Sequence, residues 1–311
     1  MKKVFYANIF FFILILIQIG GSYLLKPVVV LFHLNLPSIL VTTQIVFLIV
    51  PIIIYLVVTK QSVAKTLRIR PLKIKDLVLV IITGFLIYPI ASFLGLITNL
   101  VFHNNVNDVL GKMSSLPLMV MIIVIALTPA ICEELTMRGV ILSGYKKIGI
   151  HKAAIITGFL FGVLHLNPSQ FLYTFVLGII LAYMVDATGS IFASMICHFI
   201  FNGINAIASW NSLKSGTKAQ DITALSPAMR NTALIIFLIA SIISVIIIIS
   251  IIRTIKKRNR IYIEIREEQE EAMNSRDYNY SELDESVSAI KLYSPIIISV
   301  IVYILFTLKY L

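Results

Sequence analysis

Six polar side chains of chemically capable types stand inside, or at the ends of, segments otherwise apolar enough to span a bilayer. Glu133, Glu134 and Arg138 lie in Cys132-Glu133-Glu134-Leu135-Thr136-Met137-Arg138-Gly139. His165 closes the run that holds Gly158, Phe161 and Gly162, and His198 and Asn202 share Met195-Ile196-Cys197-His198-Phe199-Ile200-Phe201-Asn202. A charge in hydrocarbon costs about 2.5 to 3.5 kcal/mol on insertion scales, so each needs a partner, a water-filled cavity or a function. Glu134 and Arg138 are four residues apart, stack on one helical face and can neutralise each other. Glu133 points about 100° away from Glu134 and has no evident local partner. Phe161 stacks on the face of His165, and Asn202 on the face of His198, by the same four-residue spacing.

A carboxylate, two imidazoles and a carboxamide from three helices can hold a water, with the carboxylate as general base and the others orienting the water and stabilising an oxyanion. The same residues contain a second option, in which Glu133, His165 and His198 form a two-His, one-Glu ligand set for a divalent metal such as zinc, with a fourth position for water. The plainer readings are structural. A lone intramembrane His or Asn often serves as interhelical hydrogen-bond glue, but a Glu134–Arg138 ion pair explains only one of the two carboxylates. Cys132 and Cys197 lie inside apolar runs, which points to small buried packing and to neither a disulfide framework nor a thiolate site.

The elements that must carry these residues are membrane helices. Of 311 residues, 59% are hydrophobic and 13% charged, far from the balance of a soluble domain, so the expected class is an all-α polytopic bundle of about eight or nine spans. Candidate spans of about 20 residues are Val4 to Leu25, Ile39 to Val58, Leu77 to Phe102 and Leu116 to about Met137. Ala153 to Leu166 is short, Phe171 to Val185 and Ile191 to Ala208 are marginal, Thr232 to Ile252 is full length, and Ile296 to Leu308 is a short ninth candidate. Gly158 and Gly162 form a small-xxx-small pair that admits another helix closely. His33, His103 and His151 fall in predicted loops.

The net charge of +11 does not signal nucleic acid, because the basic residues sit between apolar runs as topology signals. Clusters at Lys2 and Lys3, at Lys60 to Lys75, at Lys146 to Lys152 and at Arg253 to Arg260 all fall on one side, which predicts a cytoplasmic amino terminus. The loops around Lys26, around Asp108 and Lys112, and around Lys214 and Lys218 are poorer in cations. Thr59 to Asp76 reads either as a segment lying on the inner leaflet or as a solvated loop. Arg253 to Ser288 turns from basic to acidic and reads as a charged helix or partly disordered linker. On the sequence depth scale Glu133 lies about a turn inside the cytoplasmic end of its span, and His198 about 10 Å from the same side. His165 lies nearer 20 Å deep.

The stretches Glu133-Glu134 with Arg138, Phe161 with His165, and His198 with Asn202 together resemble the three ordered motifs of the CAAX protease and bacteriocin-processing family of intramembrane proteases: E-E-x-x-x-R, F-x-x-x-H and H-x-x-x-N. Ala187-Thr188-Gly189-Ser190 also resembles that family's lead into its third motif helix. The resemblance covers about Leu116 to Trp210. It divides the chain into amino-terminal spans with a basic loop (1–115), a catalytic core (116–210) and carboxy-terminal spans with the charged linker 253–288 (211–311). It implies Glu133, His165, His198 and Asn202 as the catalytic set in a site opening toward the cytoplasm, with a metal held by Glu133, His165 and His198 if one is used. Glu134, Arg138 and Phe161 become supporting residues, the first two holding the helix end and the substrate's carboxyl end.

On this reading the expected function is an intramembrane endopeptidase, acting near the cytoplasmic membrane face on CaaX-like, peptide-pheromone or bacteriocin-type substrates, in a bacterial cell membrane. Its expected partners are a peptide or protein substrate and the lipid bilayer, with no nucleic acid. Two rival classes remain: a non-catalytic immunity or scaffold protein, and an ion- or proton-coupled transporter, against which stands the lack of an inverted repeat with broken helices.

Overall fold

In the computed structural model, residues 2–113, 115–215, 225–277 and 288–308 are described. The described part is helical, with no strand. In chain order the main helices are α1 Lys2–Leu31, α2 Leu36–Thr59, α3 Ile74–Asn99, α4 Leu118–Gly144, α5 Ile150–Leu164, α6 Pro168–Thr188, α7 Ile191–Lys214, α8 Pro227–Asp277 and α9 Ala289–Thr307. Eight are long and apolar enough to cross a membrane, and α5 is the short one. The two marginal candidates become full-length α6 and α7 because their ends carry capping residues that hydropathy does not count. Asn167 accepts from Ser169 N at the start of α6, which ends at Gly189 in the left-handed region (φ +69°). Ser190 then caps α7 by accepting from Phe192 N. The Ala187-Thr188-Gly189-Ser190 turn is thus a glycine stop followed directly by a serine start.

Between helices in lipid the hydrophobic effect gives little, so close backbone approach and interhelical hydrogen bonds carry the association. The small-residue pair on α5 meets α6, where Gly178 supplies the third glycine. A Cβ at Gly178 would stand 2.6 Å from Gly158 Cα, and one at Gly158 would stand 2.8 Å from Phe175 O. Elsewhere Asn8 of α1 donates to Leu292 O of α9 at 2.7 Å and accepts from the Tyr145 hydroxyl just beyond α4. Ser241 of α8 donates to Pro89 O of α3 at 3.0 Å. The outer surface of α8 leaves Ile235, Ile239, Ile242 and Ile246 exposed, as a lipid-facing stripe requires.

Helix α4 is not uniform. Wide π turns at Ile122–Leu127 and Leu135–Ile141 flank an α segment, Thr128–Glu134, which carries both carboxylates. Pro129 cannot donate a backbone hydrogen bond, and an interruption of the ladder at this point is the usual consequence. The helix continues to Gly144, so Glu133 lies eleven residues, about 16 Å of helix, from the basic end instead of one turn. By the same count His165 comes fifteen residues after the start of α5 and His198 seven after the start of α7, so Glu133 falls between them.

The loop between α2 and α3 is not a free solvated loop. It is tied to the bundle: Ser143 donates to Thr66 O at 2.7 Å, Ile191 N to Arg68 O at 3.1 Å, and Ser190 to Arg70 O at 2.5 Å. Leu67 is buried against Gly139, where a Cβ would meet its Cδ2 at 2.7 Å. The buried Asp76 accepts from Arg258 at 2.8 Å and from Asn259 at 2.7 Å, pinning α8 to the start of α3. The charged segment, expected as a charged helix or partly disordered linker, is helical and continues α8 as far as Asp277; residues 278–287 and Lys218 lie outside the described residues. His151 sits in the first turn of α5, not in a loop, with Nδ1 2.6 Å from the Tyr183 hydroxyl.

Gly178→Ala is expected to lower the thermal midpoint of the detergent-solubilised protein, because the new methyl meets backbone, which cannot rotate away. Overpacking of this kind costs about 1 to 3 kcal/mol, and an unchanged midpoint would show that α5 and α6 do not pack this closely.

Candidate active site

Glu133, Glu134 and Arg138 come from α4, Phe161 and His165 from α5, and His198 and Asn202 from α7, and all seven meet. His165 follows the last turn of α5, whose end is set by Leu166 in the left-handed region (φ 49°). Its Nδ1–H donates to Phe161 O at 2.8 Å, which directs Nε2 toward α4. His165 Nε2 and His198 Nε2 each lie 4.0 Å from Glu133 Oε2.

Behind this group is a second, dry layer. Arg138 and Glu134 are buried and paired at 2.9 Å, as their spacing predicts. Glu134 Oε1 also accepts from His198 Nδ1–H at 2.9 Å, so this carboxylate fixes an imidazole 64 residues away. The Arg138 guanidinium lies 4.5 Å over the Phe161 ring, a favourable cation–π placement. That ring in turn meets His165 edge-on at 4.8 Å and His198 at 6.0 Å. Phe161 is therefore a spacer that all three side chains touch.

With Nδ1–H committed to Glu134, His198 presents a lone pair at Nε2, and it accepts from Asn202 Nδ2 at 3.1 Å. The other Asn202 N–H goes to Ile125 O, also at 3.1 Å. Ile125 stands four residues before Pro129, whose missing N–H removes that carbonyl's ordinary α-helical donor. The interruption in α4 thus supplies the acceptor that orients Asn202. Because both its N–H groups are engaged, Asn202 offers an incoming group an oxygen but no donor. That departs from the oxyanion-stabilising part of its expected role.

Glu133 does have a partner: Gln44 Nε2 of α2 donates to Oε1 at 3.1 Å, leaving Oε2 toward the imidazoles. Its signal in the sequence is a lone Gln within the apolar span Ile39 to Val58.

These residues form the floor of a cavity of about 600 Å³. Glu133 is its sole charged lining residue among those described. Arg138 is buried, bonded to Glu134 and to Gly178 O, and absent from the wall, so it is not placed to hold a substrate carboxylate. The wall lies toward the start of α2, α4 and α6 and the end of α3 and α7, from Gln44, Asn99 and Gln170 to Asn205 and Ser209. That is the end opposite all four basic clusters.

A metal is a poor fit to this arrangement. Ligand bonds of about 2.0 to 2.2 Å put neighbouring donors of a tetrahedral zinc centre roughly 3.3 to 3.5 Å apart. Here both imidazole nitrogens stand 4.0 Å from the carboxylate oxygen, and the His198 lone pair is already used. Among the described residues, no group of three or more His, Cys, Asp or Glu side chains is arranged to hold a metal ion. A water making hydrogen bonds of about 2.8 Å bridges the same gaps without any movement.

Residues 115–204 match the family model described as Rce1-like, type II CAAX prenyl endopeptidase Rce1-like. The match is partial, and it contains every residue of the floor contributed by α4, α5 and α7. It supports a CAAX-type protease at the level of the family. No curated protein and no solved structure gave a match.

Removing one member of the dry layer should be costlier than removing two. Arg138→Met strands Glu134 without its cation, and breaking a buried pair from one side costs about 3 to 5 kcal/mol. Adding Glu134→Gln should recover much of the lost thermal stability. Equal damage in the single and double variants would mean the pair is not isolated from solvent.

Proposed function

We propose that the chain is a membrane endopeptidase that hydrolyses a peptide bond within the bilayer, using a water activated by Glu133. The observation that carries this reading is the convergence of Glu133 Oε2 with the Nε2 atoms of two histidines, each at 4.0 Å, on the floor of a cavity. The family match over the same stretch gives the reaction class.

In this mechanism Gln44 holds Glu133 Oε1, so the basic oxygen is Oε2. The water gives one proton to Glu133 and directs the other at His165 Nε2, whose Nδ1–H is tied to Phe161 O. The oxygen then attacks the peptide carbonyl carbon, and the proton held by Glu133 passes to the leaving nitrogen as the C–N bond breaks. The products are a carboxylic acid and an amine, and Glu133 is restored. His198 is locked by Glu134 on one side and Asn202 on the other, which keeps the second wall of the water site rigid. Glu134, Arg138, Phe161 and Asn202 are positioning residues.

The substrate is a peptide or protein segment reached at the membrane, of the CaaX-like, pheromone or bacteriocin type. The wall favours an internal bond over a free chain end, because among the described residues no Lys or Arg lines it to meet a terminal carboxylate.

Cleavage of quenched-fluorescence apolar peptides by the purified protein in lipid vesicles tests this. Glu133→Gln and His165→Ala should each lower kcat by a factor of about 10² to 10⁴, the usual contribution of a positioned general base, with unchanged yield and thermal midpoint. Gln44→Ala should lower it less. Activity is expected to survive a chelator. Turnover that persists in a Glu133→Gln/His165→Ala double variant would leave the protease reading without its site.

A further inference from the structure

We infer that the basic cleft between the start of α3 and the middle of α8 holds the phosphate of an anionic phospholipid headgroup. The inference does not depend on the protease reading.

Four residues line the cleft, Lys73, Ile74, Lys75 and Arg258, and three of them are cations. Their places in the chain set its depth. The apolar run of α8 ends at Ile252, and Arg258 follows about 9 Å later along the helix. The apolar run of α3 begins at Leu77, directly after Lys75 and Asp76. Both helices therefore leave hydrocarbon next to the cleft, at the level where headgroups lie.

The cations of this end differ in what already holds them. Lys256 and Arg260 pair with Asp186 and Glu264, each at 2.8 Å. Lys73 and Lys75 have no carboxylate partner among the described residues. The Lys73 ammonium lies 4.2 Å over the Tyr262 ring, a contact that places the cation without cancelling its charge. Tyr262 stands four residues after Arg258, on the same face of α8. Arg258 is held from behind, because its Nη1 donates to Asp76 Oδ1 and to Lys75 O, both at 2.8 Å. Asp76 is buried, whereas the Arg258 side chain is 35% exposed. The carboxylate thus fixes the guanidinium while Nε and Nη2 donate to no group among the described residues.

A fixed guanidinium with two ammonium groups beside it and one carboxylate buried behind it leaves a surplus of positive charge in a preformed shape. A phosphate matches this, because its oxygens accept several charge-assisted hydrogen bonds at once. Basic pockets between membrane helices are built to take such headgroups. The fourth lining residue selects a lipid's phosphate over a dissolved one. Ile74 is 76% exposed between the two lysines, and an apolar side chain there gains from the glycerol and acyl part of a lipid and nothing from a free ion.

Native mass spectrometry of the detergent-solubilised full chain tests this, with phosphatidylglycerol, phosphatidylcholine and glycerol 3-phosphate as probes. Phosphatidylglycerol should be retained in preference to phosphatidylcholine. A lysine near an anionic surface is worth about fivefold in affinity, so Lys73→Gln/Lys75→Gln should weaken phosphatidylglycerol retention by about 30-fold. Lys73→Arg/Lys75→Arg should keep it, which separates lost charge from lost folding. Lys147→Gln/Lys152→Gln removes the same charge from the same end without touching the cleft and should leave retention as it was. Equal loss in the two glutamine variants overturns the inference in favour of a diffuse field, and equal retention of the two lipids overturns it outright. Displacement of the lipid by an equal concentration of glycerol 3-phosphate would mark a site for soluble anions and overturn the lipid assignment.

Discussion

The structure is organised around one carboxylate that does not reach the cavity. Glu134 takes a guanidinium from its own helix and an imidazole from α7 on a single oxygen, both at 2.9 Å. Without Arg138, burying Glu134 would cost several kcal/mol; without Glu134, His198 would keep only the Asn202 amide to set its tautomer and direction. From that bond the order spreads outward. Arg138 covers Phe161, Phe161 spaces the two histidines, and His198 takes its second contact from Asn202. The ion pair is therefore the frame of the site, and the bundle supplies it with three helices that can approach closely because α5 and α6 meet through glycine.

Much of this was legible in the sequence because the legible part is local. Helical spacing alone pairs Glu134 with Arg138 and puts Asn202 on the face of His198. The polarity of their surroundings marks the residues as costly and hence as needing a common place. Apolar length gives the number of helices, with α5 correctly short. The hydrogen bonds that decide roles were not legible, since each joins residues far apart in the chain. Nothing in the sequence says that Glu134 binds His198 or that Gln44 reaches Glu133. Nor does it show that a proline on α4 frees the carbonyl that turns Asn202. The depth of Glu133 was misread because hydropathy stops counting at Arg138, although a paired arginine is no obstacle to a buried helix. The expected opening toward the cytoplasm came from the resemblance, alongside the shallow depths counted for Glu133 and His198.

The two layers differ in a way that matters for chemistry. The dry layer holds two opposite charges that cancel and neither of which meets the cavity. The wet layer holds a single carboxylate, Glu133, steadied by a neutral amide and facing two imidazoles. A carboxylate left in hydrocarbon would be protonated or expelled; one on the floor of a polar cavity keeps water within reach and stays competent as a base. The cavity is thus what leaves room for water beside Glu133. This links the neutral carboxamide wall to the reaction. Fixed cations along the passage would stabilise the charged carboxylate and weaken it as a base, while further carboxylates would compete for its proton. Amides do neither, and they can replace the hydrogen bonds an unwound peptide must give up on leaving water. A site that must be wet enough for hydrolysis and neutral enough to leave its base alone has few side chains to choose from. The residues above Glu133 are of that kind.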